Sequence, residues 1–221
     1  QAIITLAAFS FSLVIAITVH EFSHALAATS LGDRTAQSQG RLSLNPAAHL
    51  DPVGTALIFF AGFGWGKPTP VNPFLFLRIS PRQGMALVSM AGPISNIVVA
   101  SLFAIPIRAG LVDLGGFGFE LFGESANDIA DVILINMVFW NLLLATFNLL
   151  PIAPLDGFKV VLGILPPESA RGFARLEQYG PGILMMTIML EYILPGPGIL
   201  SSFINPILNL LTTVVLGGQV L

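Results

Sequence analysis

The sequence has no cysteine, three histidines and little charge: Asp, Glu, Lys and Arg together make up 10% of its 221 residues. Without cysteine there is no disulfide, no thiolate nucleophile and no thiolate metal site. Any metal must be held by His, carboxylate, amide or water. Soluble domains carry about 25% charged residues, which keep their surfaces dispersed in water. A chain with 54% hydrophobic residues and a mean hydropathy of +0.84 cannot present such a surface. The formal net charge of −3 offers no basic face to a polyanion, which excludes a nucleic-acid partner. Long apolar runs are present instead, so the chain is an integral, multi-pass membrane protein whose main surroundings are the lipid bilayer.

A helix needs roughly 20 mostly apolar residues to cross a hydrocarbon core about 30 Å thick. On that scale the chain reads as all-α, a bundle of about six membrane elements with four long spans and two short or re-entrant ones. Long runs cover residues 2–31, 82–112 and 129–150, and further apolar stretches lie at 180–194 and 199–216. Residues 2–19 are too long and apolar for a signal peptide and lack a basic start, so they read as part of the working protein. A short run at 53–63 gives way to GFGWGKPTPVNP, too rich in Gly and Pro for a lipid-facing helix. It reads as a re-entrant element with a membrane loop near 64–73. Gly92-Pro93 predicts a bend or local break in the second long span, and 157–165 predicts a short helix. No internal repeat or separate soluble domain is visible.

Arg34, Arg41, Lys67, Arg78 and Arg82 fall between the first two long spans and mark a cytoplasmic side, to which Arg171 and Arg175 return. The loop holding Asp113, Glu120 and Glu124 carries no base and would face outward.

Inside the first span lies TVHEFSHALA, with His20, Glu21 and His24 among apolar residues. A charge at the centre of a span costs about 2.5–3.5 kcal/mol, so such a cluster needs a compensating partner. Residues four apart share one helix face, so both imidazoles can reach one ion. Glu21 sits about 100° round the helix from His20, near enough to contact a water at that ion. This is the His-Glu-x-x-His arrangement of zinc peptidases, in which Glu is the general base. Solvated or core histidines are the plain alternative, and a membrane span makes it a poor one.

A tetrahedral catalytic site needs a third protein ligand. Asp156, in FNLLPIAPLDGFKV, follows a span in a stretch broken by Pro151, Pro154 and Gly157. A carboxylate there could point inward at a fixed depth, or cap the 157–165 helix. Asn148 offers an amide for a substrate carbonyl, or for a helix–helix hydrogen bond. His49 reads as a turn residue bonded to backbone, Trp65 and Lys67 as interfacial anchors, and Glu191 as a group available to pair across helices.

With HEFSH at 20–24 and NLLPIAPLDG at 148–157 on separate spans, the chain resembles the site-2 protease family of intramembrane zinc metalloproteases. GRLSLNPAAHLDPVG (40–54), GWGKPTPVNP (64–73) and AGPISN (91–96) add to a resemblance covering most of 10–160. It implies one zinc held by His20, His24 and Asp156, with Glu21 activating water and Asn148 steadying substrate or oxyanion. Ala153 and Phe158 stand where relatives often carry Pro and Gly, and neither is a proposed ligand. The resemblance is to a minimal member without a PDZ-like or CBS-like region. It implies a single domain over 1–221, with a catalytic core at about 2–165 and accessory spans at about 180–216. The implied partner is a transmembrane protein or peptide, cleaved within or near its membrane helix at a site nearer the cytoplasmic side. Such a substrate must unwind, and a small β-hairpin near 35–44 or the 64–73 loop would offer it a strand edge. The rival readings are a divalent-cation transporter or channel built on the same His and Asp residues, and an inactive scaffold of the same fold.

Overall fold

A computed structural model of the chain describes residues 2–61, 64–112, 129–193 and 198–218. The expected acidic loop around Glu120 lies outside the described residues. Nine α-helices are described: α1 (Ala2–Ser30), α2 (Thr35–Ser38), α3 (Pro52–Ala61), α4 (Pro81–Arg108), α5 (Ile129–Asn148), α6 (Asp156–Ile164), α7 (Pro167–Ala174), α8 (Gly180–Ile193) and α9 (Ile199–Leu216). Four of them, α1, α4, α5 and α9, are long and apolar enough to cross a membrane. The protein is an all-α, multi-pass membrane protein. At 14 residues, α8 reaches only about 21 Å, short of the hydrocarbon thickness.

The core is built on α4, which packs against α1, α5, α6 and α9. Small residues allow the close approach: Ala16, Ala25, Ala28, Ala100, Ala104 and Ala145 have no accessible surface. Ile107, Val138, Leu142, Leu208 and Leu216 fill the space between α4, α5 and α9. Large apolar side chains such as Phe11, Leu87, Leu102, Phe203 and Val214 point outward, where lipid accepts them at no cost. Ser80 starts α4 by accepting the Gln83 N–H, with Pro81 at the first helical position, where its missing N–H is not needed. The bend predicted at Gly92-Pro93 does not end the helix, and α4 runs through both Pro93 and Pro106.

Residues 35–44 form no hairpin, which corrects the strand edge expected there. The Asp33 carboxylate accepts the Thr35 N–H and hydroxyl, and Ser38 N–H donates to the Arg34 carbonyl at 2.9 Å. These local bonds consume the groups a strand would have offered and wind one helical turn instead. Residues 64–72 form an irregular loop, and Pro73 opens a short 3-10 turn. The loop makes an isolated antiparallel bridge from Gly66 to Leu50, supported by Lys67 N–H donating to the His49 carbonyl at 2.7 Å. α3 has 10 residues, and the returning chain lies against its first turn, where a Cβ on Gly54 would meet the Trp65 carbonyl at 2.1 Å. The chain therefore comes back beside the point where α3 began.

Candidate metal centre

His20 and His24 lie one turn apart on α1, and both are buried. Asp156 reaches them from the first turn of α6. The sequence allowed it to cap this helix, but Leu155 occupies the cap position and Asp156 makes no capping bond. Its carboxylate remains at the positive end of the helix dipole, pointing across to α1. Gly157 makes this placement possible, because a Cβ there would lie 2.1 Å from the Leu149 carbonyl in the preceding turn.

Asp156 Oδ2 is 3.1 Å from His20 Nε2 and 3.2 Å from His24 Nε2. The other nitrogen of each ring settles what these contacts are. His20 Nδ1 lies 2.7 Å from Asn96 Oδ1, and His24 Nδ1 lies 2.7 Å from the Val88 carbonyl. Both partners only accept, so each Nδ1 carries a proton and each Nε2, facing Asp156, is the nitrogen left to serve a metal. Asp156 Oδ2 is correspondingly buried without a hydrogen-bond donor. Three such atoms converging in a buried place need positive charge at their focus, which a metal ion or protons on the rings would supply.

The donor set fits zinc. Two imidazole nitrogens and one carboxylate oxygen are the three-ligand pattern of catalytic zinc, which leaves a fourth position for water. Tetrahedral zinc with bonds of about 2.0–2.1 Å holds its ligand atoms roughly 3.3 Å apart. The Asp156–His20 and Asp156–His24 spacings, 3.1 and 3.2 Å, meet that requirement. Among the described residues this trio is the group of His, Asp and Glu side chains able to hold a metal.

α4 supports the rings from behind. A Cβ on Gly92 would lie 2.6 Å from Cε1 of both imidazoles, so only glycine lets this helix approach them. Half-buried Glu21 is gripped by the 64–73 loop: Thr69 N–H donates to Oε2 at 2.9 Å and the Thr69 hydroxyl donates to the Glu21 carbonyl at 3.0 Å. The loop thus reaches the depth of the His-Glu-His turn.

The structure brings together His20, His24 and Asp156, with Glu21 adjacent in sequence. Asn148 ends α5 with its amide N–H on the Leu144 carbonyl at 3.0 Å. His49 bonds backbone, its Nε2 donating to the Ser43 carbonyl at 2.6 Å. Sequence reasoning missed Asn96, whose position inside an apolar span was the available signal. It also missed Thr69, whose contribution is largely a backbone N–H and leaves no trace in residue type.

No family model and no solved structure matches the chain. Among curated proteins, it is 41% identical over 170 residues to "Putative zinc metalloprotease YwhC" of Bacillus subtilis (strain 168), covering 76% of this chain and 74% of that protein. It is 30% identical over 188 residues to "Putative zinc metalloprotease Rip2" of Mycolicibacterium smegmatis, covering 81% and 67% respectively. Rip2 of Mycobacterium tuberculosis (strain H37Rv) is 27% identical over 180 residues, with 80% of this chain and 64% of the relative covered. The chain belongs to the site-2 protease family of zinc metalloproteases. Its membership and its buried His-His-Asp trio together support a zinc-dependent hydrolytic role.

Proposed function

We propose that this site-2 protease family member is an intramembrane endopeptidase, cleaving a peptide bond within or near a transmembrane helix of a membrane-protein substrate. The observation that carries the reading is the convergence of three lone-pair donors inside a bundle of span-length apolar helices. His20, His24 and Asp156 would hold one zinc per chain. When bound, zinc supplies Lewis-acid activation of water for attack on an amide carbonyl.

The protein's own groups do the rest. The Thr69 N–H on Oε2 fixes the Glu21 carboxylate and leaves Oε1 to take a proton from the attacking water. As the carbon–nitrogen bond breaks, the same oxygen delivers that proton to the leaving amine nitrogen. Asn148, at the end of α5, is placed by this reading against the substrate carbonyl, which requires its amide to turn from Leu144. The substrate helix must unwind for attack, and the 64–73 loop, already bridged to Leu50 at Gly66, is the edge on which an unwound strand would pair. α3 and this returning segment act as a re-entrant element. The catalytic core spans about residues 2–165 of a single domain over 1–221, with α8 and α9 as accessory elements. The Arg and Lys residues between α1 and α4 support a site nearer the cytoplasm.

A divalent-cation transporter would use the same donors, but kinship to zinc metalloproteases and a Glu21 outside the ligand trio favour hydrolysis. The test is metal content followed by cleavage. Purified wild type should carry about one zinc per chain, and Asp156→Ala should lose or weaken it. Glu21→Gln should keep the zinc and lose cleavage of a transmembrane peptide. Zinc retained unchanged in Asp156→Ala, or cleavage unchanged in Glu21→Gln, would overturn the proposal.

A further inference from the structure

Asn96 and Asn141 are fully buried carboxamides on neighbouring helices, and together they form a directed chain of hydrogen bonds. Asn141 Nδ2 donates to the Met137 carbonyl at 2.8 Å, and Asn141 Oδ1 accepts from Asn96 Nδ2 at 2.9 Å. Asn96 Nδ2 also donates to the Ala16 carbonyl at 3.0 Å, and Asn96 Oδ1 accepts from His20 Nδ1 at 2.7 Å.

A carboxamide has almost the same shape after a half-turn, so packing alone does not decide which end of Asn96 faces His20. A turned Asn96 would present its NH2 group to Nδ1. The ring proton would then move to Nε2, the atom that faces Asp156, and the metal would lose a ligand. Two acceptors oppose the turn, the Ala16 carbonyl and Asn141 Oδ1, since each would then meet an oxygen in a buried site. Asn141 cannot yield by turning in its own place, because its Oδ1 would then meet the Met137 carbonyl. The polarity of the whole chain is therefore anchored on backbone carbonyls of α1 and α5.

We propose that Asn141, which hydrogen-bonds to none of the three ligands, is a positioning residue for the metal: it locks Asn96, and through Asn96 keeps the His20 proton on Nδ1 and Nε2 available to the metal. The inference rests on the zinc reading of the site. Partners of this kind on ligating histidines typically change metal affinity by about 10–100-fold.

The experiment compares zinc affinity in wild type, Asn141→Leu and Asn141→Asp, alongside imidazole nitrogen spectra of the metal-free, ¹⁵N-histidine-labelled proteins. Asn141→Leu removes the acceptor and should bind zinc about tenfold more weakly, with part of His20 shifting to the Nε2–H form. A neutral, protonated Asp at the same place still accepts from Asn96 and donates to Met137, so Asn141→Asp should restore both readouts. Wild-type affinity and an unchanged tautomer in Asn141→Leu would overturn the inference. If Asn141→Leu does not fold, the wild-type spectrum decides, because a His20 without a proton on Nδ1 in the metal-free protein would equally overturn it. Wild type that takes up no zinc sinks the site reading instead, and the tautomer comparison still decides the lock.

Discussion

Thr69 holds Glu21 at two points, its N–H on the carboxylate and its hydroxyl on the backbone carbonyl. A general base works only if its lone pair is aimed, and a misplacement of about 1 Å can cost roughly 10²-fold in rate. Thr69→Pro deletes the N–H donor between two residues that are already proline, so it should leave the path of the loop largely intact. Its kcat should fall about 10- to 100-fold with zinc content unchanged, whereas Thr69→Val, which keeps the N–H, should stay much closer to wild type. Equal losses in the two variants would mean that the hydroxyl, not the N–H, does the positioning.

Gly92 lies against both imidazoles, so Gly92→Ala tests how tightly α4 frames the site. A methyl group 2.6 Å from two ring carbons cannot be accommodated without moving the rings. Overpacking of this kind costs typically 1–3 kcal/mol, and here the displaced atoms belong to the proposed zinc ligands. Gly92→Ala should therefore lose zinc as well as stability. Gly182→Ala, where a Cβ meets nothing within 4 Å, should change neither. Zinc titration with a thermal melt of each variant separates the two effects, and full zinc uptake by Gly92→Ala would refute the close fit.

The parts of the site that could be read in the sequence are those whose residue types are expensive where they stand. His20, Glu21 and His24 interrupt an apolar span, and Asp156 follows another in a stretch that cannot continue a helix, so each demands an explanation before any fold is known. Asn96 and Asn141 interrupt spans in the same way. An uncharged amide costs less and has a ready use in joining helices, so its connection to His20 emerged only from the path of the hydrogen bonds. Gly92 was read as part of a bend, whereas the structure uses its missing side chain to seat two rings. At 35–44 a hairpin was expected as an edge for substrate, but a buried Asp33 two residues before Thr35 supplied a stronger local partner. Long spans are legible because a bilayer imposes their length; short connecting geometry answers to particular side-chain bonds.

Asp33 itself gives a pH prediction. It is buried just beyond α1, where Oδ1 accepts from the Thr35 N–H and hydroxyl and Oδ2 accepts from the Asn72 N–H at 2.7 Å. Burial pushes its pKa up, but the bonds from Thr35 and Asn72 outweigh it and hold the group below the ordinary 3.8. A carboxylate with a depressed folded-state pKa stabilises the fold above the unfolded value, and that contribution fades as pH falls through the folded one. Asp33→Asn should therefore be less stable than wild type at neutral pH by roughly 1.5–3 kcal/mol, the range for a hydrogen bond to a charged group. The gap should narrow below about pH 4. Thermal midpoints in detergent across that range provide the check, and a gap that widens on acidification would contradict the assignment.

Glu191 ties α8 and α9 together. From the last turn of α8 its carboxylate accepts the Leu200 and Ser201 N–H groups at 3.0 and 3.1 Å, satisfying donors that the first turn of α9 leaves unpaired. Negative charge at this end of a helix is also favoured by the dipole. The contact leaves no room at Gly198, where a Cβ would fall 1.9 Å from the carboxylate carbon. Glu191→Ala should cost about 0.5–2 kcal/mol, the usual range for a lost N-terminal cap. Gly198→Ala should reproduce the loss by pushing the same carboxylate away. Because both remove one interaction, the double variant should be little worse than either single one. Thermal melts of the four proteins test this: additive losses would show that Glu191 and Gly198 act separately, and that the carboxylate is not what joins α8 to α9.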